Sequence, residues 1–128
     1  MKLLAALLLT GTMVAGAGSA QAACMKGGDE NAAATGRVSI GKARDAAGCP
    51  QQPYILTLSA PACLTAPDEE DNVKSTRTVH IYSTDAKVHA AIAGFVGKSA
   101  SVRGTPFHAH TGHHHAPIVM DITEIRAQ

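Results

Sequence analysis

Residues 83–98 read STDAKVHAAIAGFVGK, and the spacing of apolar side chains changes here. Val88, Ile92, Phe95 and Val96 fall three and four apart, which gathers them on one face of a helix. Ser83, Thr84 or Asp85 can cap its start, and Gly97 can cap its end. On either side the period is two, the period of a strand. Before the helix, TRTVHIYS (76–83) puts Val79 and Ile81 on one face and His80 and Tyr82 on the other. After it, SASVRGTPF (99–107) carries Ala100 and Val102, and APIVMDITEI (116–125) aligns Ile118, Met120 and Ile122.

Two more strands lie upstream. TGRVSIGKA (35–43) places Val38 and Ile40 together. In GCPQQPYILTLSAPACL (48–64), Pro50 and Pro53 bound a loop. Tyr54, Leu56 and Leu58 then alternate with Ile55, Thr57 and Ser59, and Pro61 is expected to end that strand. TAPDEEDNVKS (65–75) is acidic and rich in turn formers, so it reads as a solvated loop.

The order is strand, strand, strand, helix, strand, strand. In a mainly β chain of this size it predicts a five-stranded, OB-like Greek-key barrel with one helix between strands 3 and 4. A small open sandwich is the competing architecture. Closure favours the barrel, because it leaves no long free edge. Ligands of such barrels usually sit on the face of strands 2 and 3, flanked by the loops after strands 1 and 4. Here those loops are GKARDAAGCPQQ (41–52) and the histidine stretch.

The N-terminus has Lys2, an apolar run from Leu3 to Leu9, then small residues ending in Ala20-Gln21-Ala22. This is the pattern of a secretory signal peptide with an A-x-A cleavage site. Its apolar core is too short to span a bilayer. The expected organisation is a signal peptide at 1–22, an N-terminal segment at 23–35 and the OB-like domain at 36–128. The destination is periplasmic or secreted. A lipoprotein with acylated Cys24 is the rival, but Gln21 stands where an aliphatic residue is usual.

The whole chain carries 11 basic and 10 acidic side chains, and removal of Lys2 leaves it formally neutral. With no basic patch and no Trp, nucleic-acid binding lacks electrostatic support. No transmembrane span is expected after the signal peptide. Cys24, Cys49 and Cys63 all follow the signal, and an oxidising compartment pairs two of them. The expected bridge is Cys24–Cys63, which pins the N-terminus to a strand end; Cys49–Cys63 stays open as an alternative. No C-x-x-C spacing suggests redox catalysis. There is no nucleophile elbow and no phosphate-binding glycine loop, so an enzyme is not expected.

TPFHAHTGHHHAP (105–117) carries five histidines. His108 and His110 are two apart and share a face on an extended strand. His113 and His115 repeat that spacing across a turn at Thr111-Gly112. Two such pairs on a hairpin would converge four imidazoles, with His114 pointing to the other side, and zinc, copper or nickel accepts that ligand set. An exposed polar hairpin also needs no metal at all. His80 and His89 read as surface or rim residues. A cluster this dense changes charge between pH 5 and 7, which would permit acid sensing.

Several of these segments together resemble the small secreted bacterial family named domain of unknown function 4431. The resemblance is carried by Tyr54, Leu56, Leu58, Pro61 and Cys63, by Gly97, Lys98, Val102 and Gly104, and by Thr111 to His115. Ala100 stands where an aliphatic residue is commoner in that family. It implies the same boundaries and export, and no chemistry.

Two functions follow. The first is an exported binding module that contacts an unknown protein or cell-envelope ligand through loop 107–116, with Phe107, Thr111 and His114 as contact residues. The alternative is a periplasmic protein that binds a divalent transition metal through His108, His110, His113 and His115. The first needs no cofactor.

Overall fold

The computed structural model describes residues 24–128. The expected signal peptide therefore lies outside the described residues. In chain order the strands are β1 (Met25–Lys26), β2 (Ala32–Ile40), β3 (Ala43–Arg44), β4 (Pro50–Gln51), β5 (Tyr54–Thr65), β6 (Val73–Tyr82), β7 (Ser99–His108) and β8 (Ile118–Ala127). A helix, α1 (Ala86–Ile92), follows β6.

The protein is mainly β. A mixed six-stranded sheet runs in the order β1-β5-β2-β7-β8-β6, and β5 also pairs with β6, so the ladder returns on itself. Most pairs are antiparallel; β1–β5 and β6–β8 are parallel. The sheet has six strands rather than the expected five because Met25–Lys26 adds alongside Leu64–Thr65. The adjacent Cys24–Cys63 disulfide fastens that strand, and Cys49 is free and exposed. β2 starts at Ala32, and Met25 and Ala32 both belong to the core. β3 and β4 form a separate small hairpin.

Alternation explains the core. Val38, Leu56, Val79, Ile81, Ile118, Met120 and Ile122 are fully buried and come from four strands whose alternate residues face one interior. Ile40 departs from the expectation and is 48% exposed. It is the last residue of β2, beyond the end of the packed interior. Pro61 does not end its strand. The register passes from Thr57↔Thr78 to Ala62↔Thr76, so β5 bulges out between Thr57 and Ala62. Proline has no N–H for a ladder, and this unpaired bulge asks for none.

The helix starts at Asp85, whose carboxylate accepts from the backbone N–H of Lys87 and Val88 at 2.9 and 3.3 Å. It buries Ile92 against the core, with Val88 and Phe95 half-buried beside it. At Ala93 it tightens into a 3-10 turn, Ala93–Phe95. That turn carries Val96 off the apolar face, where the helical spacing had placed it, and leaves it 36% exposed. Gly97 at φ 82° turns the chain into β7, and its N–H donates to the Val38 carbonyl.

Gly104 stands at the β7–β8 irregularity, where an added Cβ would lie 2.1 Å from the Asp121 carbonyl oxygen. A Cβ on Gly94 would meet nothing within 4 Å. Gly104→Ala is expected to cost about 2 kcal/mol or more in urea unfolding. Gly94→Ala is expected to stay within about 0.5 kcal/mol. Equal midpoints for the two variants would contradict the close strand approach at Gly104.

Candidate functional site

On the outer face of the sheet one row crosses three strands. His80 of β6 pairs with Val119 of β8, and Val119 pairs with Phe107 of β7. Ile118 and Met120 face the interior, so alternation points Val119 outward. Val119 is nevertheless fully buried. The ring of His114 is placed to cover it. It lies edge-on to Phe107 at 5.2 Å and to His80 at 6.5 Å, bridging the two strands that flank Val119. His115 stacks on His80 at 5.7 Å, His110 lies 4.7 Å from His114, and Tyr82 meets Phe107 at 6.3 Å. The result is a partly buried cluster of imidazole and aromatic rings, with His110 at its exposed edge.

The covering segment is not the expected two-arm hairpin. β7 stops at His108 and β8 starts at Ile118. The Ala109 N–H donates to the Pro117 carbonyl and closes a loop between them. Within it, the N–H of His114 donates to the Thr111 carbonyl, and the N–H of His113 donates to Thr111 Oγ1. His113 and His115 thus sit in a folded loop instead of facing His108 and His110 across a ladder. His114, expected to point away, is the ring at the centre. His80, expected at the rim, is half-buried beneath it.

The Nδ1 atoms of three of these rings are committed to the backbone. The Nδ1 of His114 accepts from the backbone N–H of His110 at 3.0 Å and of Thr111 at 3.3 Å. The Nδ1 of His80 accepts from the N–H of His115 at 3.2 Å. A nitrogen that accepts a hydrogen bond carries no proton, so both rings are neutral Nε2–H tautomers. The Nδ1 of His110 lies 3.0 Å from the His108 carbonyl, which only accepts, so this ring donates through Nδ1. His108 reaches Asp71 at 3.4 Å.

Gln51 joins the loop to the β3–β4 hairpin. Its Nε2 lies 2.6 Å from His113 Nδ1, and its Oε1 lies 2.5 Å from His115 Nε2. Gly112 is pressed on the same hairpin; a Cβ there would come 2.9 Å from the Ala46 nitrogen. Beside this junction a cleft of about 340 Å³ opens between Gln51, Tyr54, His80, His89 and His115. His89 packs edge-on to Tyr54 at 5.7 Å and accepts from the Ser83 N–H through Nδ1.

The four proposed ligands do not converge. Among the described residues no group of three or more His, Cys, Asp or Glu side chains is placed to hold a metal ion. The spacing argument assumed an extended strand through 113–115, and the backbone of the loop instead recruits the imidazoles as its hydrogen-bond partners. Thr111 spends its hydroxyl within the turn, and Phe107 forms the floor under His114. Sequence reasoning missed Gln51, Asp71, Val119 and the central place of His80. One signal was present: Ile118-Val119-Met120 is an unbroken apolar run, the mark of a strand covered on both faces.

A family model described as Domain of unknown function (DUF4431) matches residues 78–126, a span that contains the helix, β7, the histidine loop and all but the last residue of β8. The chain is similar to that family over this span. No curated protein and no solved structure matches it.

Burial, and then the neighbouring charges of His115, His114 and His89, push the His80 pKa down to about 4. Burial, then the charges of His110, His113, His115 and His108, also lower His114. The linkage has a definite sign. Above the ordinary histidine value of 6.5, His80 is neutral folded or unfolded, and its contribution to stability is complete. Between about 6.5 and about 4 only the unfolded chain takes up the proton, so stability falls as pH falls through that window. Urea unfolding at pH 7.5 and pH 4 is expected to show about 2 kcal/mol more acid loss in the wild type than in His80→Asn. An equal loss in both would remove His80 as the source.

Proposed function

We propose that the chain is an exported, non-catalytic binding module on an OB-like barrel, which meets its ligand or partner through loop 107–116. The barrel reading is supported by the closed run of pairings β5-β2-β7-β8-β6-β5 and by a helix between β6 and β7. Export is supported by the Cys24–Cys63 disulfide. Among the described residues, no helix is long and apolar enough to cross a membrane.

The observation that carries the binding reading is the clamp at Gln51. One side chain ties two histidines of the loop to the β3–β4 hairpin, and Gly112 packs against Ala46. Two loops that would otherwise move separately are thereby fixed as one surface, which lowers the ordering cost of binding. The metal reading on His108, His110, His113 and His115 has less support. Its ligands are spread over Asp71, Gln51 and the His108 carbonyl, and no three of them converge.

The test is photo-crosslinking in the producing cell. A photo-reactive residue at position 111 reports on the loop, and one at position 101, on β7, serves as the control. An adduct formed at 111 and absent at 101 is expected, with at least a fivefold drop when Gln51→Ala releases the clamp. Adducts of equal yield at both positions, or none at 111, would overturn the reading.

A further inference from the structure

The cleft beside the clamp is bordered by several neutral hydrogen-bonding side chains. His80 and His89 both border it. The Nδ1 of His80 accepts from the His115 N–H, and the Nδ1 of His89 accepts from the Ser83 N–H, each at 3.2 Å. Both rings therefore carry their proton on Nε2. Neither Nε2 has a hydrogen-bond partner among the described residues, and neither is a buried unsatisfied atom. Two side chains that border one cleft thus each carry an unpartnered Nε2–H, and a backbone amide fixes each ring through its Nδ1.

Among the described residues, no acidic side chain lines this cleft. An adjoining hollow shares Gln51 and Gln52 with it and is lined by Lys42 and Arg44, again with no acidic residue. Fixed donors bordering the cleft and two cations next to it favour negative charge and acceptor oxygens. Cations have no acceptor carboxylate here.

We infer that the cleft between the β3–β4 hairpin and α1 binds the oxyanion group of a small ligand, with His80 and His89 donating through Nε2 and Lys42 and Arg44 supplying the charge. This deepens the binding-module reading and rests on it. Carboxylate and phosphate share the required chemistry. The Tyr54 ring, packed on His89, adds an apolar wall on which a sugar or other ring can lie. His80 is held neutral by its burial, so it donates without adding a charge that acid-range titration would switch on at neutral pH.

The test is imidazole ¹⁵N NMR of the full chain at pH 7, titrated separately with trigalacturonic acid, inorganic phosphate and an uncharged maltotriose reference. Saturable shifts at the His80 and His89 nitrogens with trigalacturonic acid or phosphate, and none with maltotriose, are expected. The anion that saturates first identifies the source as carboxylate or phosphate. Affinity is expected to fall about tenfold in His89→Phe, which keeps a ring edge-on to Tyr54, and several-fold in Lys42→Ala. Shifts that fail to saturate, equal response to maltotriose, or unchanged affinity in both variants would overturn the inference. Crosslinking at position 111 separates the two levels. A surviving loop adduct with no anion binding rejects only the oxyanion chemistry, whereas loss of both rejects the binding-module reading too.

Discussion

The structure depends on the two-sided burial of β8. Ile118 and Met120 fill the interior, and Val119, pointing the other way, is equally inaccessible. A strand in the middle of a sheet with one solvated face would leave Val119 wet, at a cost of roughly 1.5–3 kcal/mol relative to burial. The loop between β7 and β8 removes that cost by folding back over the sheet. Its shape is set by this task. His114 has to reach across to both flanking rings, Phe107 and His80, and the turn at Thr111–His114 is what brings it there.

That task competes with metal binding. A loop lying on a sheet has backbone N–H groups that no strand ladder satisfies, and each needs an acceptor. In this loop three such N–H groups find imidazole nitrogens: His114 takes two and His80 takes one; Thr111 and the Pro117 carbonyl take others. Used so, His80 and His114 have only their protonated nitrogen left, and a protonated nitrogen does not ligate; the four expected ligands fail for a different reason, that no three of them converge. Density of histidine in sequence is therefore a weak guide to ligation, because the same rings serve as caps for a folded loop.

Much of the fold was legible because alternation and helical spacing act locally. Alternation put Val79, Ile81, Val102, Ile118, Met120 and Ile122 on the faces that the structure buries together. Asp85 was one of three candidate caps for the helix, and Cys24–Cys63 was the favoured bridge of two left open; the structure selects both. The failures share a cause of longer range. Pro61 was read as a strand end, but the β6 register allows a bulge around it. β1 was invisible because two residues carry no period; only the disulfide and Leu64 place them. In the site, His108 and His110 were grouped with His113 and His115 by spacing along a strand that the chain does not form. Gln51 could not be found at all, since nothing in GCPQQP says that its amide will meet residues more than sixty positions away.

The choice of histidine over a plain aromatic residue at 80 and 114 follows from two demands made on one side chain. Phenylalanine at 114 would cover Val119 equally well, yet it would leave the N–H groups of His110 and Thr111 without their acceptor. Asparagine would accept them but would not span the distance between the His80 and Phe107 rings. Imidazole does both, provided it stays neutral. Protonation of the same Nδ1 turns the acceptor into a donor facing another donor, so cover and cap fail together. The burial that lowers the His80 and His114 pKa values is thus produced by the structure those neutral rings hold in place. Neutrality and packing are one cooperative property of this face, and the clamp at Gln51 extends it to the hairpin that borders the cleft.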